Sequence, residues 1–237
     1  MEKKEEKADR NHKKGTRMEN LLALTTAQLA EQGTIQQELQ IMAKGPNFVY
    51  GKEYIFKVHG TEVWDYVIRH MEPQVAKIWD GKLLTLGEYP FSAFKQMIYI
   101  LSHKLNIMTN IELASMYEYI ADQSLNNLYR MFFKMTKPSF VINNYPMLWQ
   151  RFFNTGVVEV PIAEKEYAEI KFMLPEIFLD WLPAASLGYS KKAIQLAGGS
   201  QVSQTLLDKH HLPNDLWLIV YELKWKEEPL RSFRLSK

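Results

Sequence analysis

The hydrophobic period of the chain changes at the stretch Val157-Val-Glu-Val-Pro-Ile-Ala-Glu-Lys-Glu-Tyr-Ala-Glu-Ile-Lys-Phe-Met173. Before Gly156, apolar residues recur every three or four positions, which is typical of amphipathic helices. Within the stretch they alternate with polar residues, so Ala168, Ile170 and Phe172 share one side of an extended chain. The alternation predicts two strands, one at each end of the stretch.

Downstream of this stretch the pattern predicts one helix and two further strands. The helix runs from about Ile177 to Ala197, is kinked or restarted at Pro183, and stops at Gly198-Gly199. The strands cover 201–208 and 216–225, and the second places five large apolar residues on one face: Trp217, Ile219, Tyr221, Leu223 and Trp225. The order strand, strand, helix, strand, strand predicts an antiparallel sheet backed by a helix.

Upstream, most of the chain between Gly51 and Gly156 has helical periodicity. The exception is Glu53–His59, whose β-branched and aromatic residues predict a strand. Four helical regions follow. The first covers 61–71 and is ended or restarted at Pro73, and the second is opened by Tyr89-Pro90. The third starts near Asn110, and the fourth is a short helix with Pro146 in its first turn, ended by Gly156 in the left-handed conformation. The expected fold class is α+β, with a helical N-terminal part packed on an antiparallel sheet of about four to five strands and a backing helix.

The composition changes along the chain predict four segments. Residues 1–17 carry seven Lys/Arg and four Asp/Glu with almost no apolar side chains, and are expected to form a disordered, charged tail. Residues 18–44 are expected to form a connector or dimerisation helix that ends at Gly45-Pro46, because apolar residues return there at loose helical spacing. Residues 45–228 are expected to form a single domain, and 229–237 a C-terminal tail.

The overall composition excludes several classes of function. The chain has 237 residues, 46% of them hydrophobic, a net charge of +2 and no cysteine. A near-neutral charge does not favour nucleic acid, and the absence of cysteine excludes thiolate metal sites and disulfides. No segment has the composition of a signal peptide or of a membrane span, so a cytoplasmic protein is expected.

Candidate catalytic and metal-binding residues are few. The adjacent His210-His211 do not have the spacing of a metal site, and Glu118 and Asp122 fit an ordinary polar helix face. No metal, no cofactor and no enzymatic activity are therefore expected. Heme remains the alternative, because His70 or His103 could supply the one imidazole that a heme iron needs.

Aromatic residues are the mild excess of this sequence, at 13%. Seven of them cluster around the predicted junction of the helices with the sheet and are candidates for the lining of an apolar ligand pocket: Tyr129, Phe132, Phe133, Trp149, Phe153, Phe172 and Trp181. The alternative is that the same side chains form a packed core.

Short signatures between residues 51 and 225 resemble those of a known superfamily. They are Tyr129-Arg-Met-Phe-Phe, Asn144-Tyr-Pro-Met-Leu-Trp149, Asn154-Thr-Gly156, Leu187-Gly-Tyr-Ser-Lys-Lys-Ala-Ile-Gln-Leu-Ala-Gly-Gly199 and Lys224-Trp225. Together they resemble the heme-NO-binding-like, or four-vinyl-reductase-like, sensor superfamily, in its bacterial branch that shares the fold alone. In this pattern Gly188 is expected to let the helix approach the sheet.

The resemblance implies a sensor or regulatory input domain that is often dimeric. The heme-binding branch has a proximal histidine and a Tyr-x-Ser-x-Arg clamp, and this chain has no such clamp. The terminal cysteines of many four-vinyl-reductase-like domains are absent from Asp208–Asp215. The expected function is a non-enzymatic, homodimeric sensor for a small apolar or amphipathic ligand. The alternative is an adaptor that binds a protein partner and whose pocket is filled by side chains.

Overall fold

A computed structural model describes residues 41–107, 110–125, 136–213 and 215–227. Within these ranges the helices are α1 (Gly45–His59), α2 (Thr61–Arg69), α3 (Pro73–Asp80), α4 (Phe91–Leu105), α5 (Asn110–Ser124), α6 (Pro138–Asn143), α7 (Tyr145–Phe152) and α8 (Leu182–Leu196). The strands are β1 (Met42–Lys44), β2 (Glu88–Pro90), β3 (Val157–Glu164), β4 (Tyr167–Pro175), β5 (Gly199–His211) and β6 (Leu216–Glu227). A 3₁₀ turn covers Glu176–Phe178.

The main sheet has four antiparallel strands in the order β3-β4-β6-β5. Phe172 of β4 lies opposite Ile219 of β6, and Ala168 lies opposite Leu223. All four of these side chains are buried, so the alternation seen in the sequence selects the inner face of the sheet. The predicted α+β class and the antiparallel sheet are confirmed.

The inner face of the sheet packs on helices and shares one continuous apolar core with them. On β6 four of the five residues of the predicted inner face are buried, namely Ile219, Tyr221, Leu223 and Trp225. Trp217 is half-buried, and Val220 of the other face is buried as well. A separate two-stranded ribbon pairs β1 with β2 and leads directly into α4. The helices therefore lie on one side of the sheet, with the largest aromatic side chains between them.

Helices α5 and α8 approach each other closely. Gly188 makes this possible, because a Cβ atom at that position would lie 2.4 Å from the Ala114 carbonyl oxygen and 2.7 Å from Tyr117 Cβ. Ion pairs join the rims of the contact, from Lys191 to Glu118 at 2.6 Å and from Lys192 to Asp122 at 3.1 Å. The prediction that Gly188 lets this helix approach the sheet was wrong, since the glycine faces helix α5.

The structure corrects two predictions near the start of the described chain. Met42–Lys44 is a strand paired with Glu88–Pro90, so the helix predicted for 18–44 does not extend to residue 44, and residues 1–40 lie outside the described residues. Glu53–His59 belongs to helix α1 and is not a strand. Pro46 occupies the first turn of that helix, and burial of Phe48 and Ile55 outweighs the β propensity of the segment.

Three further boundaries differ from the predictions. Gly156 has φ +84° but lies beyond the end of α7, in the turn that enters β3. The helix predicted from Ile177 begins only at Leu182, because residues 176–178 form the 3₁₀ turn and Pro183 occupies the first turn of α8. His210 and His211 lie beyond the strand predicted for 201–208, but they are the last residues of β5.

Helices α2 to α5 start where the sequence predicts helical regions, whereas the short helix α6 was not predicted. Pro73 starts α3, Pro146 lies in the first turn of α7, and α4 buries the apolar stripe of Phe91, Phe94, Met97 and Leu101. Among the described helices, none has both the length and the apolar character that crossing a membrane requires.

Candidate functional site

An apolar cavity of about 50 Å³ lies between helices α5, α7 and α8. Small residues on α5 and α8 leave the space open, and the larger side chains of α7 close it. The lining residues are Ala121, Ser124, Leu125, Tyr145, Leu148, Trp149, Phe152, Phe153, Trp181, Leu182, Ala185, Ser186, Tyr189 and Ala193. We call this space the helix cavity. It lies among the helices, and the sheet forms the layer behind it.

Three of the predicted pocket residues, Trp149, Phe153 and Trp181, line the helix cavity. Phe172 does not line it, but its ring centroid lies 5.7 Å from that of Trp149, in an edge-to-face contact one layer behind the wall. Tyr129, Phe132 and Phe133 lie outside the described residues. Their place in a pocket stays a prediction.

Phe91 and Phe178 belong to the same aromatic cluster, although they are not among the predicted pocket residues. Their rings are stacked with centroids 4.5 Å apart, and both contact Trp181, at 5.2 and 5.9 Å. Phe91 was recognisable as part of an apolar helix face, but its contact with Phe178 joins residues 87 positions apart. The cluster gives the cavity a rigid wall, because stacked and edge-to-face rings fix one another's orientation.

Helix α7 presents its indole and phenol rings to the cavity because Tyr145 and Trp149 are four residues apart, on one face. The Trp149 indole N–H donates a hydrogen bond to the Thr155 carbonyl oxygen at 2.8 Å, which ties the ring to the turn after the helix. Burial raises the pKa of Tyr145 above its ordinary value, and Ser190 acts in the opposite direction by hydrogen bonding. Tyr145 is therefore a neutral phenol at physiological pH.

The polar groups on α8 are mostly paired away from the cavity. Ser186 Oγ donates to Gln204 Oε1 of β5 at 2.6 Å, and the Tyr189 hydroxyl donates to Asn47 Oδ1 of α1 at 2.8 Å. The space that remains is lined mainly by carbon, so it suits apolar guests. Its volume suits a very small molecule.

A second cavity, of about 410 Å³, lies on α4 and α5 beside residues 180–181. Trp181 lines both cavities, and Tyr117 of α5 lines the second. The second wall is more polar, with Lys95 and Asp180 forming an ion pair at 2.8 Å. We call this space the Lys95 cavity.

Histidines line neither cavity among the described residues. His70 and His103 are exposed, and His70 Nδ1 lies 2.8 Å from the Tyr66 carbonyl oxygen of its own helix. His210 pairs with Asp208 at 3.1 Å on the edge strand β5. No group of three or more His, Asp or Glu in the described ranges is placed to hold a metal ion.

Solved structures with a similar fold are H-NOX domains. The chain is similar to the Fe(II) unliganded H-NOX protein from K. algicida, with 13% identity, a TM-score of 0.58, and coverage of 78% of this chain and 97% of that one. It is also similar to a mutant of the T. tengcongensis H-NOX, with 11% identity, a TM-score of 0.57, and coverage of 79% and 99%. No protein-family model and no curated protein matches the sequence. The fold of the described residues is H-NOX-like, whereas the four-vinyl-reductase half of the resemblance stays a prediction.

A heme does not fit the described residues. Two other similar structures belong to studies of heme redox potential and of heme distortion in the H-NOX family. In this chain the helix cavity has about 50 Å³ and is walled by aromatic rings, and neither cavity has an imidazole to bind iron. Tyr145 and Tyr189 are the phenols that line the helix cavity among the described residues, and burial raises the pKa of both, which keeps them in the protonated form that is a poor iron ligand.

Proposed function

We propose that residues 41–227 are a non-catalytic sensor domain that binds a small apolar molecule in the helix cavity. The observation that carries the proposal is a carbon-lined cavity inside an H-NOX-like fold, next to a rigid cluster of aromatic rings. Three separate helices form its wall, so a guest that favours one spacing of α5, α7 and α8 shifts the domain between two arrangements. We further propose that the domain acts in the cytoplasm, in a bacterium, and as a dimer.

Xenon tests this proposal, because it is an apolar guest of the size that suits a small, carbon-lined cavity. In a xenon-saturated sample, the backbone amide NMR signals of Ala121, Trp149 and Ala185 should shift in a saturable way. The same experiment on Ala185→Val should show no saturable shift, since the added methyl groups occupy the cavity that Ala185 lines.

Ala93→Val is the matched control for the cavity-filling variant. Ala93 is as buried as Ala185 but lines neither cavity, so the added methyl groups have no space and should lower the unfolding free energy by about 1–3 kcal/mol. Ala185→Val should be close to neutral in stability. Equal loss of stability in both variants, with no xenon shift in the wild type, would contradict the proposal.

An adaptor role is the second candidate, because the small volume of the cavity is also what a side-chain-filled core produces. On that account xenon has no effect and the function lies on the surface. Heme is tested separately by adding hemin to the purified chain. No Soret band of a specific complex is expected, and a band that disappears in His70→Ala or His103→Ala would restore heme as the ligand.

A further inference from the structure

The half-buried residues of its wall show where the helix cavity meets solvent. Most of the described lining residues are buried, and those that are half-buried are Ser124 of α5, Leu148 and Phe152 of α7, and Tyr189 of α8. Leu148 and Phe152 are four residues apart and share one face of α7. The Phe152 ring contacts Tyr189 across the gap to α8. We call this side of the cavity, between Leu148, Phe152 and Tyr189, the mouth.

Two aromatic rings close the mouth. The ring centroids of Phe152 and Tyr189 are 5.5 Å apart with an angle of 59° between the ring planes, and both side chains line the cavity. Rings at this distance are in van der Waals contact and leave no passage between them. One of the two rings must therefore move when a guest enters from this side.

Tyr189 is the fixed side of the mouth. Its hydroxyl donates a hydrogen bond to Asn47 Oδ1 at 2.8 Å, and Asn47 is a fully buried residue of α1. Its ring also contacts Tyr117 of α5, at a centroid distance of 6.4 Å. A swing of Tyr189 into solvent would leave a buried amide oxygen without its donor, which is unfavourable.

Phe152 is the movable side of the mouth. It is the last residue of α7, has no polar side-chain atom, and has Tyr189 as its ring neighbour among the described residues. The next residue, Phe153, is 6% exposed and packs against the rings of Phe91, Trp149, Phe178 and Trp181. A half-buried apolar ring changes rotamer more readily than an enclosed one, so Phe152 can swing outward while Phe153 stays in place.

The other aromatic walls are held more firmly. The Trp149 indole is tied by its hydrogen bond to the turn after α7. Trp181 separates the helix cavity from the Lys95 cavity, and it contacts Phe91 and Phe153 edge-to-face, both at 5.2 Å. A route past Trp181 would break these contacts, whereas a route past Phe152 breaks one apolar contact at the surface.

We propose that Phe152 is the gate of the helix cavity. Its ring swings away from Tyr189 to admit a small apolar guest and returns to close the mouth behind it. This inference rests on the proposed function, since it names how the guest of that same cavity enters. A gate changes the rates of entry and exit together and preserves the affinity, whereas a residue that only lines the wall changes the affinity.

Phe152→Leu tests the gate, because leucine keeps the mouth apolar but covers less of it. Saturation-transfer xenon NMR should show exchange about tenfold faster than in the wild type, and amide titration should show an affinity within a few-fold of the wild type. Phe56→Leu is the matched control, since Phe56 is a surface phenylalanine that contacts the Trp64 ring and lines neither cavity. Its exchange rate should equal that of the wild type.

Tyr189→Phe is the second variant, because it keeps both rings and removes only the tie to Asn47. Xenon exchange should become several-fold faster at unchanged affinity. Trp181→Phe tests the alternative route and should accelerate exchange less than Phe152→Leu does. Exchange rates unchanged in both Phe152→Leu and Tyr189→Phe, or a greater acceleration in Trp181→Phe, would overturn the gate.

Ring-flip rates test the motion of the gate without a guest. In the full chain free of xenon, NMR of selectively labelled phenylalanine should show faster ring flips for Phe152 than for Phe153. Bound xenon together with a Phe152 ring no more mobile than that of Phe153 would overturn the gate alone. A mobile Phe152 in a chain that binds no xenon would contradict the proposed function, and the gate with it, so the two failures are distinguishable.

Discussion

The tyrosines of α5 and α8, Tyr117 and Tyr189, differ in hydrogen bonding. The half-buried Tyr189 donates to Asn47 Oδ1 at 2.8 Å, whereas the hydroxyl of the fully buried Tyr117 has no acceptor among the described residues. The indole N–H of Trp181 acts on Tyr117 by hydrogen bonding and lowers its pKa, against the larger effect of burial. Both rings are aromatic neighbours in the same core, at a centroid distance of 6.4 Å. The pair therefore separates the effect of a buried hydroxyl from the effect of a buried hydrogen bond.

We expect Tyr189→Phe to lower the free energy of unfolding by about 1–3 kcal/mol, because the side-chain amide oxygen of the fully buried Asn47 loses its donor. Tyr117→Phe should leave stability unchanged or raise it, since it removes a donor that has no acceptor. Urea unfolding of both variants measures the difference. Equal losses in the two variants would contradict this assignment of partners.

At the residue scale the sequence predicted part of the helix cavity. Trp149, Phe153 and Trp181 were recognisable because large aromatic residues lie where predicted elements meet. The Lys95 cavity was not predictable, because Lys95, Tyr117 and Asp180 lie on separate elements and have no motif spacing. Only the fold brings a lysine of α4, a tyrosine of α5 and the residues before α8 to one wall.

At the level of elements, the contact between α5 and α8 depends on one glycine. Gly188→Ala would place a methyl group 2.4 Å from a backbone oxygen of α5, so the helices must separate. We expect a loss of about 1–3 kcal/mol in unfolding free energy and a changed helix cavity, measured by urea unfolding and by xenon shifts.

Gly51→Ala on α1 is the matched control for this substitution. A Cβ there meets the ring of Phe94 at 3.2 Å and no backbone atom, so a small movement of the ring accommodates it. The helix preference of alanine over glycine, about 0.5–1 kcal/mol, should offset that contact. A greater loss in Gly51→Ala than in Gly188→Ala would contradict the close approach of α5 and α8.

The elements also show which sequence patterns were reliable. Alternation in β4 and the shared apolar face of β6 predicted both strands, because apolar residues at every second position line one face of a half-buried strand. Glu53–His59 was misassigned because Tyr54, Ile55 and Phe56 have high strand propensity. The buried face of α1 is defined by Phe48, Gly51 and Ile55, a helical spacing that becomes clear only when the helix starts at Gly45-Pro46.

For the whole molecule, buried phenols predict a loss of stability at alkaline pH. Burial raises the pKa of Tyr117 and Tyr145 above the ordinary value, and raises that of Tyr221 to about 12. Unfolded tyrosines ionise near pH 10, so above that pH the unfolded state releases protons that the folded state retains. The ionisation of these tyrosines should leave the unfolding free energy unchanged below pH 10. Above pH 10 it should lower the unfolding free energy by at most about 1.4 kcal/mol per pH unit for each tyrosine.

Lys52 has the opposite effect on the pH dependence of the unfolding free energy, since partial burial lowers its pKa. Its effect is smaller than that of the three buried tyrosines, because it is a single, half-exposed lysine. Urea unfolding between pH 8 and 11.5 gives the slope, and ultraviolet absorbance reports the ionisation of tyrosine. Tyr221→Phe should reduce the slope. A stability that stays level up to pH 11.5 would contradict the burial of these hydroxyls.

The fold as a whole was more predictable than its function. Sheet, backing helix and helical N-terminal part followed from periodicity, and the resemblance to heme-NO-binding-like domains agrees with the H-NOX-like fold. What the cavities bind could not be read from the sequence. It depends on how far α5, α7 and α8 stand apart after folding.

A crystal structure of the full chain under xenon pressure tests the sensor proposal most directly, because the anomalous signal locates the guest. We predict one ordered xenon site between Ala121, Trp149 and Ala185, present in the wild type and absent in Ala185→Val. A wild-type crystal with no xenon among α5, α7 and α8, and with side chains filling that space, would contradict it.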